Sequence, residues 1–322
     1  MKGILCALVF VAGLNSSFSQ DELGNYAVAS SQFMALYNNA DYEGIFNLFD
    51  ADMKKALPRE RTLRFFTQNV NNLMGNIQSM QFFGFKRGAH LYRTIFDNAV
   101  ADILISLNTK NEISGLYITP SKPLDFPLLE RNTTPMILPF KEEWFVFWGG
   151  TTMEQNFHLR EISQQYAYDL MMVADGSSHK GDSKSNESYL VFGKEIIAPC
   201  DARVAKVITG VPDNIPGETN PDQLTGNTIV LETPIGEYLL FAHLKKGSIL
   251  VEEGADVLQG EPLAQCGNSG NSTEPHLHLS LQNDVEMFNS TGARLYFDRI
   301  LVNGEVREDY LPVKEDFIQN IN

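Results

Sequence analysis

The N-terminal third of the chain changes from a helical to an alternating pattern of apolar residues. From Leu23 to about Gly75, apolar side chains recur every three to four residues, which indicates helices. Beyond Gly75 the period falls to two, and short polar turns separate four predicted strands, Ile77–Lys86, Ala89–Phe96, Val100–Leu107 and Glu112–Ile118. This order predicts an α+β, cone-shaped domain over residues 22–118, with the helices on one face of an antiparallel sheet.

A proline-rich stretch separates this domain from a second one. Residues 119–139 contain five prolines and little periodicity, which is typical of a domain junction. Beyond it, short apolar runs punctuated by Gly, Pro and Asn predict a mainly-β domain over residues 140–311, followed by a C-terminal tail at 312–322. The domain begins with the aromatic run Trp144–Trp148. The predicted strands after it are Ala167–Val173, Glu195–Ala198, Arg203–Ile208, Thr228–Glu232, Glu237–His243, Leu263–Gln265 and His276–Gln282.

The N-terminus has the pattern of a secretory signal peptide. Lys2 precedes an apolar run over residues 4–14 that is too short to span a bilayer, and small residues follow at Ser17 and Ser19. We therefore expect residues 1–19 to be a cleaved signal peptide and the mature protein to be exported, to a periplasmic or extracellular space. The alternative is a buried N-terminal helix, but no capping signal precedes the run. No internal apolar run is long enough to form a transmembrane segment.

Charge and cysteine content narrow the range of partners. The 25 basic residues are outnumbered by 40 acidic ones, which argues against a nucleic-acid partner. Removal of the signal peptide leaves two cysteines, Cys200 and Cys266, each beside Pro or Gly at a predicted strand end. A pair of cysteines in an exported protein permits an intramolecular disulfide but does not require one.

Two histidines close together give the strongest chemical signal in the chain. His276 and His278 stand two positions apart in Pro275–Leu279, so both side chains point to the same face if the segment is a strand. Paired imidazoles suit one zinc ligand and one residue that handles protons. The alternative is a pair of exposed histidines on a strand face.

Few other residues are available to complete such a site. The remaining histidines are His90, His158, His179 and His243. His90 lies on a predicted strand of the first domain and is most simply structural. His158 and Asp169 bracket a segment that, as a hairpin turning at Ser163–Gln164, would place them opposite each other with β-carbons about 5 Å apart. Asp169 lies among apolar residues, where a carboxylate is costly unless it is paired or binds a metal. An aspartate bonded to backbone amides at a strand end is the alternative.

These residues suffice for a catalytic zinc site, which needs three protein ligands, an open position for water and a group that takes the proton. His158, Asp169 and His278 supply two nitrogens and one oxygen for a Zn²⁺ cofactor. His243 would on its own be interpreted as a core histidine that ends an apolar strand. Together with His276, however, it remains to act on the water and on the developing oxyanion.

Several motifs also follow one another in a recognisable order. They are Tyr166–Asp169, Ala198-Pro199 with Val204, Gly226-Asn227, Phe241–Leu244, Val251–Gly254, Gly267–Gly270 and Pro275–His278. In this order they resemble the lysostaphin/LytM-type zinc endopeptidases, which cut peptide cross-links in bacterial peptidoglycan. The resemblance covers roughly Trp144–Leu281. It implies a two-sheet, lysostaphin-like metallopeptidase fold, with Asp169 and His278 binding zinc and with catalytic roles for His243 and His276.

One position departs from the pattern of this family. The usual first ligand is a histidine four residues before the aspartate, and Gln165 stands there. Branches with a Tyr-Ala-x-Asp motif place the histidine further upstream, where His158 fits. His179, in a polar loop, is the rival ligand. The loop Gly267–Ser272 is expected to border the cleft, where absent side chains would let a peptide containing Gly or D-Ala approach.

The sequence as a whole predicts an exported zinc metalloendopeptidase that hydrolyses peptide bonds in peptidoglycan cross-links or stem peptides. The first domain resembles the small cystatin-like or nuclear-transport-factor-two-like domains that often precede exported hydrolases, and it contains no clustered acid–base set. One alternative function is a catalytically inactive cell-wall-binding or regulatory protein of LytM-like fold. A generic exported protease is another.

Overall fold

The described part of the chain begins with a layer of helices. The computed structural model describes residues 22–121 and 128–321, so the predicted signal peptide at 1–19 lies outside the described residues. The helices are α1 (Gly24–Asn38), α2 (Tyr42–Asn47), α3 (Ala51–Ala56), α4 (Arg59–Arg64) and α5 (Asn72–Met74), with a π-helical segment at Phe65–Asn71. Asp41 caps α2 because its carboxylate accepts a hydrogen bond from the backbone N–H of Gly44. None of the helices in the described ranges is long and apolar enough to cross a membrane.

A four-stranded antiparallel sheet covers the apolar face of these helices. Its strands pair in chain order, β1 (Ile77–Lys86), β2 (Ala89–Phe96), β3 (Val100–Leu107) and β4 (Ile113–Pro120). Phe33, Tyr37 and Phe66 of the helical layer pack with Tyr92 and Ile103 of the sheet in one buried cluster. Burial of side chains of this size stabilises the fold by about 1.5–3 kcal/mol each. The predicted α+β architecture is confirmed.

A large antiparallel sheet dominates the second part of the chain. The strands of this part are β5 (Trp144–Trp148), β6 (Tyr168–Met171), β7 (Glu195–Ile197), β8 (Ala202–Ile208), β9 (Asn227–Glu232), β10 (Tyr238–Leu244), β11 (Asp256–Val257), β12 (Pro262–Gln265), β13 (Leu277–Gln282), β14 (Gly292–Ala293), β15 (Phe297–Val302), β16 (Glu305–Tyr310) and β17 (Phe317–Asn320). The strand order of the large sheet is β11-β8-β9-β10-β13-β6-β5-β17-β15-β16, with β14 paired to β13, and β7 and β12 form a separate two-stranded sheet. Ile196 and Leu263 of the small sheet share one buried core with Phe241 and Leu279 of the large one. The mainly-β prediction is confirmed.

The C-terminal residues are part of this sheet. Residues 312–322 are predicted from the sequence as a tail, but they contain β17, which lies between β15 and β5. Phe317 and Ile318 pair with Phe145 and Trp144, so β17 is hydrogen-bonded to β5, the first strand of the domain. The prediction of a tail is wrong because a strand of four residues is too short to show a clear alternating pattern.

The disulfide that the sequence permits is absent, since Cys200 and Cys266 are both free and buried. They lie towards opposite ends of the β7–β12 pair. Cys266 N donates to Lys194 O, whereas Cys200 follows Ile197, which pairs with Pro262. Several residues of extended chain, roughly 15–20 Å, separate them, well beyond the ~7 Å between Cα atoms that a disulfide can span. Burial raises the pKa of both thiols, that of Cys200 to about 12.

His90 is buried in the aromatic core of the first domain. Its ring stacks on Tyr26 with centroids 3.5 Å apart, and Phe82 and Phe85 close around it. Neither ring nitrogen has a hydrogen-bond partner. Burial lowers the pKa of His90 from 6.5 to about 4, so the folded domain keeps this imidazole neutral.

We expect the first domain to lose stability in mild acid because of His90. Between pH 6.5 and about 4 the unfolded chain binds a proton at this residue that the folded domain excludes. Its contribution is therefore complete above pH 6.5 and falls by roughly 2–3 kcal/mol as the pH approaches 4. The measurement is denaturant unfolding at pH 4.5–7, followed by ellipticity at 222 nm, because the described α-helices all lie in this domain. His90→Phe should flatten the pH dependence, and an unchanged slope in that variant would contradict the assignment.

Candidate metal centre

Two of the predicted ligands face each other on neighbouring strands. β6 and β13 are antiparallel partners, and their register places His278 directly opposite Asp169. His278 Nδ1 lies 3.0 Å from Asp169 Oδ1 and hydrogen-bonds to it. Opposed residues of an antiparallel pair have adjacent side chains on one face, so the strand pairing itself brings this carboxylate and imidazole together.

His158 reaches the same carboxylate from outside the sheet. It lies in a one-turn 3₁₀ helix, Phe157–Arg160, and its backbone N–H is capped by the side chain of Asn156. The predicted hairpin around Ser163–Gln164 is therefore wrong: β6 pairs with β5 and β13, and residues 161–167 are turns. The side chains still converge, because His158 Nε2 lies 3.0 Å from Asp169 Oδ1.

The three groups form a pocket that suits a small cation. One ligand atom from each of His158, Asp169 and His278 lies within 4.8 Å of the others. His158 Nε2 is buried and has no partner with the alignment of a hydrogen bond, although it is close to the carboxylate. Zinc held tetrahedrally at about 2.0–2.2 Å requires ligand atoms roughly 3.3 Å apart, and two imidazoles with one carboxylate form a catalytic zinc ligand set. The residues present therefore fit zinc.

The protonation states of the buried ligands favour binding of a cation. Burial alone would raise the pKa of Asp169, but electrostatic attraction by the His158 and His276 imidazoles and the hydrogen bond with His278 hold that pKa well below its usual value. Burial lowers the pKa of His278, which keeps this imidazole neutral near pH 7. Metal ligands must be deprotonated to bind: the carboxylate meets this condition, and the neutral imidazole of His278 needs only to carry its proton on Nε2 for Nδ1 to bind.

His243 lies beside the ligands at the end of β10. It adopts a left-handed backbone conformation, with φ of 61°, at an irregularity in the pairing of β10 with β9. Its Nδ1 lies 2.8 Å from the carbonyl oxygen of Ser269. A carbonyl only accepts hydrogen bonds, so Nδ1 carries the proton and Nε2 keeps its lone pair. Burial, followed by the charges of His276 and His278, holds the pKa of His243 well below 6.5.

His276 is also anchored through Nδ1 to a backbone carbonyl. Its Nδ1 lies 2.8 Å from the carbonyl oxygen of Glu274 and 3.2 Å from Ser272 Oγ. Its Nε2 lies 3.5 Å from Asp169 Oδ1, and its ring centroid is 4.8 Å from that of His243. Two imidazoles with backbone-anchored Nδ1–H groups thus adjoin the three candidate ligands. The five predicted site residues come together in the fold.

The glycine-rich loop before His276 serves packing. A Cβ on Gly267 would lie 2.3 Å from Lys245 N, and one on Gly270 would lie 2.4 Å from Gly226 N. Protein backbone therefore occupies the space next to these two glycines, which is not left open for a substrate. This packing corrects the expectation for the Gly267–Ser272 loop, which instead supplies the Ser269 carbonyl and the Ser272 hydroxyl to the two histidines.

His179, the rival first ligand, does not lie at the site. Its ring lies tilted against that of Tyr189, with centroids 5.1 Å apart, and His179 does not belong to the His158 cluster. Gln165 is buried, and its side-chain amide donates to the carbonyl oxygen of Gly292. Asn156 was missed by sequence reasoning, although an Asn two residues before the ligand is a readable capping signal. The carbonyls of Ser269 and Glu274 leave no such signal.

Comparison with known families agrees with this architecture. Residues 188–290 match the family described as Peptidase family M23. Residues 30–116 match a second family, described as Protein of unknown function (DUF3887). The second domain therefore contains a match to the M23 peptidases, and the first domain contains a match to DUF3887. His243, His276 and His278 fall within the M23 match, and His158 and Asp169 lie before it.

Solved structures with a similar fold include two of lysostaphin from Staphylococcus simulans. Its catalytic domain shares 17% identity over 47% of this chain and 88% of that chain, with a TM-score of 0.29. The lysostaphin structure of greater length shares 21% identity over 40% of each chain, with a TM-score of 0.26. LytM from Ruminococcus gnavus shares 21% identity over 39% of this chain and 42% of that chain, with a TM-score of 0.25. No curated protein matches the sequence.

Loss of either imidazole ligand should abolish tight zinc binding. We expect His158→Ala and His278→Ala each to weaken zinc affinity at least about 100-fold, since even residues that only support a ligand contribute 10–100-fold. The measurement is competition against a chromogenic chelator, with bound zinc quantified by mass spectrometry. The matched control is His179→Ala, which should bind zinc like the wild type. If His179→Ala lowered the affinity and His158→Ala did not, the ligand assignment would be wrong.

Proposed function

We propose that the protein is an exported, zinc-dependent endopeptidase that hydrolyses peptide bonds in peptidoglycan. The observation that carries the proposal is the convergence of His158 Nε2, Asp169 Oδ1 and His278 Nδ1 beside two histidines whose Nδ1 atoms are held by backbone carbonyls. The M23 match supports the substrate class. The signal-peptide pattern of the N-terminus supports export.

His158, Asp169 and His278 would hold the metal. When bound, zinc polarises a carbonyl and lowers the pKa of a bound water to about 7. The ionised carboxylate of Asp169 contributes negative charge that offsets the charge of the cation in a buried site, where two neutral imidazoles could not do so alone.

His243 and His276 supply the acid–base chemistry. Each is held with Nε2 free of its anchor, because its Nδ1–H donates to a fixed carbonyl. Nε2 of one imidazole accepts the proton of the attacking water, and the other imidazole, with a proton on Nε2, stabilises the tetrahedral oxyanion by donating a hydrogen bond. Their anchors lie on one short segment, at Ser269 and Glu274, so both rings are oriented before substrate arrives.

The test is digestion of purified peptidoglycan, with the released fragments identified by mass. We expect the wild type to release peptide fragments and His276→Ala and His243→Ala each to lower the rate about 10²–10⁴-fold, the usual contribution of a positioned acid or base. His179→Ala is the control and should retain the wild-type rate. Zinc content is measured on every variant, so that loss of activity is separated from loss of metal.

The outcomes also separate the competing functions. A wild type that binds zinc but releases no fragments would favour a non-hydrolytic, cell-wall-binding role. Casein cleavage without any preference for peptidoglycan would indicate a generic protease. Equal fragment release by the wild type and His276→Ala would overturn the role given to His276.

A further inference from the structure

The first domain contacts the second one beside the segment that carries His158. The tip of the β1–β2 hairpin forms two backbone hydrogen bonds with this segment. Ile162 N donates to Phe85 O at 2.6 Å, and Gly88 N donates to Arg160 O at 3.0 Å. These bonds lie two and four residues beyond His158, at the last residue of the 3₁₀ helix and in the turns that connect this helix to β6.

The turn of the β1–β2 hairpin directs backbone N–H donors at this segment. Lys86 pairs with Ala89, so Arg87 and Gly88 form a two-residue loop, and both have positive φ angles, 51° and 77°. Positive φ at both positions is the pattern of a type I′ turn, in which a non-glycine residue such as Arg87 is uncommon. Arg87 N donates to Glu161 Oε2 at 3.1 Å, which places a second donor of the turn on the same segment.

A glycine and a bulge in β1 make room for the contact. The pairing of β1 with β2 is irregular between Phe82 and Gly84, and Gly84 has a φ of 145°. A Cβ on Gly84 would lie 3.1 Å from Ile162 Cδ1, tighter than an ordinary van der Waals contact. Glycine inside a strand weakens it and commonly marks a close approach of another part of the structure. The side chain of Ile162 makes this approach and is buried.

His158 needs such support more than the other ligands do. Asp169 and His278 lie on paired strands, whose position the sheet fixes. The turn that carries His158 has no strand partner, and within the second domain it is held by the Asn156 cap and by the bond from Gly292 N to Ile162 O. The hairpin of the first domain forms hydrogen bonds with the backbone groups of residues 160–162 that have no partner in the second domain. These bonds fix the position of the chain where it leaves the turn.

We propose that the β1–β2 hairpin of the first domain is a positioning element for the first metal ligand, His158. The inference rests on the proposed function, since it assumes that this site binds zinc. It assigns to the first domain a share in building the metal site. By linkage, a metal that binds more tightly when the hairpin is docked also stabilises the docked hairpin by the same factor.

The test measures metal affinity in the full chain without its signal peptide. Gly84→Val places methyl groups against Ile162 and should weaken zinc binding about 10-fold, the lower end of what supporting residues contribute. Glu161→Ala removes the acceptor for Arg87 N and should weaken binding in the same direction. Glu161→Gln keeps an oxygen acceptor and should restore the affinity to within about 2-fold of the wild type.

Two measurements show that the effect acts through His158. Visible absorption of the Co²⁺-loaded protein should weaken and shift in Gly84→Val and Glu161→Ala, because the ligand geometry changes. Glu154→Ala, an exposed glutamate before the same turn, is the matched control and should match the wild type in both measurements. Ellipticity at 222 nm reports whether the first domain is folded in each variant, and Glu161→Ala decides the question if Gly84→Val is unfolded.

The failure of this inference differs from the failure of the proposed function. A wild type that binds no zinc contradicts the function. A wild type that binds zinc tightly, with Gly84→Val and Glu161→Ala folded and equal to it in affinity and Co²⁺ spectrum, overturns the positioning role alone. Equal losses in Glu161→Ala and Glu161→Gln would likewise exclude the hydrogen bond from Arg87 as its basis.

Discussion

The carboxylate of Asp169 is the group on which the rest of the candidate site depends. Its side chain is only 13% exposed, so an isolated negative charge there would be costly, and imidazole nitrogens of His158, His276 and His278 lie within 3.5 Å of it. The pairing of β6 with β13 fixes its place, and a slip of one residue would turn either side chain to the opposite face. The register of two short strands therefore decides whether a metal centre exists at all.

The histidines around this carboxylate have the same chemistry but different partners, and the partners separate their roles. His278 directs Nδ1 at Asp169, whereas His243 and His276 use Nδ1 to donate to the carbonyls of Ser269 and Glu274. Which nitrogen faces the centre, and in which protonation state, follows from the bond that the other nitrogen makes. Peptide carbonyls on one short segment thus set the tautomers of His243 and His276, and the glycines of that segment pack against backbone.

The sequence predicts most of the strands to within a few residues, because alternation of apolar residues is a local signal. It also brings His276 and His278 into one site, since the spacing of the pair depends only on the strand period. The predicted hairpin between His158 and Asp169 is wrong, because residues 161–167 form successive turns whose Ile162 bonds to Phe85 and Gly292, distant in sequence, instead of to a strand partner. The C-terminal strand is missed because four residues are too few for a clear alternating pattern. Whether the two cysteines meet depends on strand order in space, which leaves no local pattern.

The position of the first ligand has a structural consequence for the whole chain. In the usual arrangement this ligand would stand at Gln165, close to β6, where the strand and its neighbours determine its place. With His158 in a separate turn, the ligand is only as well ordered as the surfaces that complete the hydrogen bonds of that turn. One of these surfaces is the strained hairpin at Arg87 and Gly88, and a left-handed non-glycine residue is retained only where the surrounding structure compensates for its cost. In the proposed arrangement the metal site draws on both domains, because the β1–β2 hairpin of the first domain completes the hydrogen bonds of the turn that carries His158.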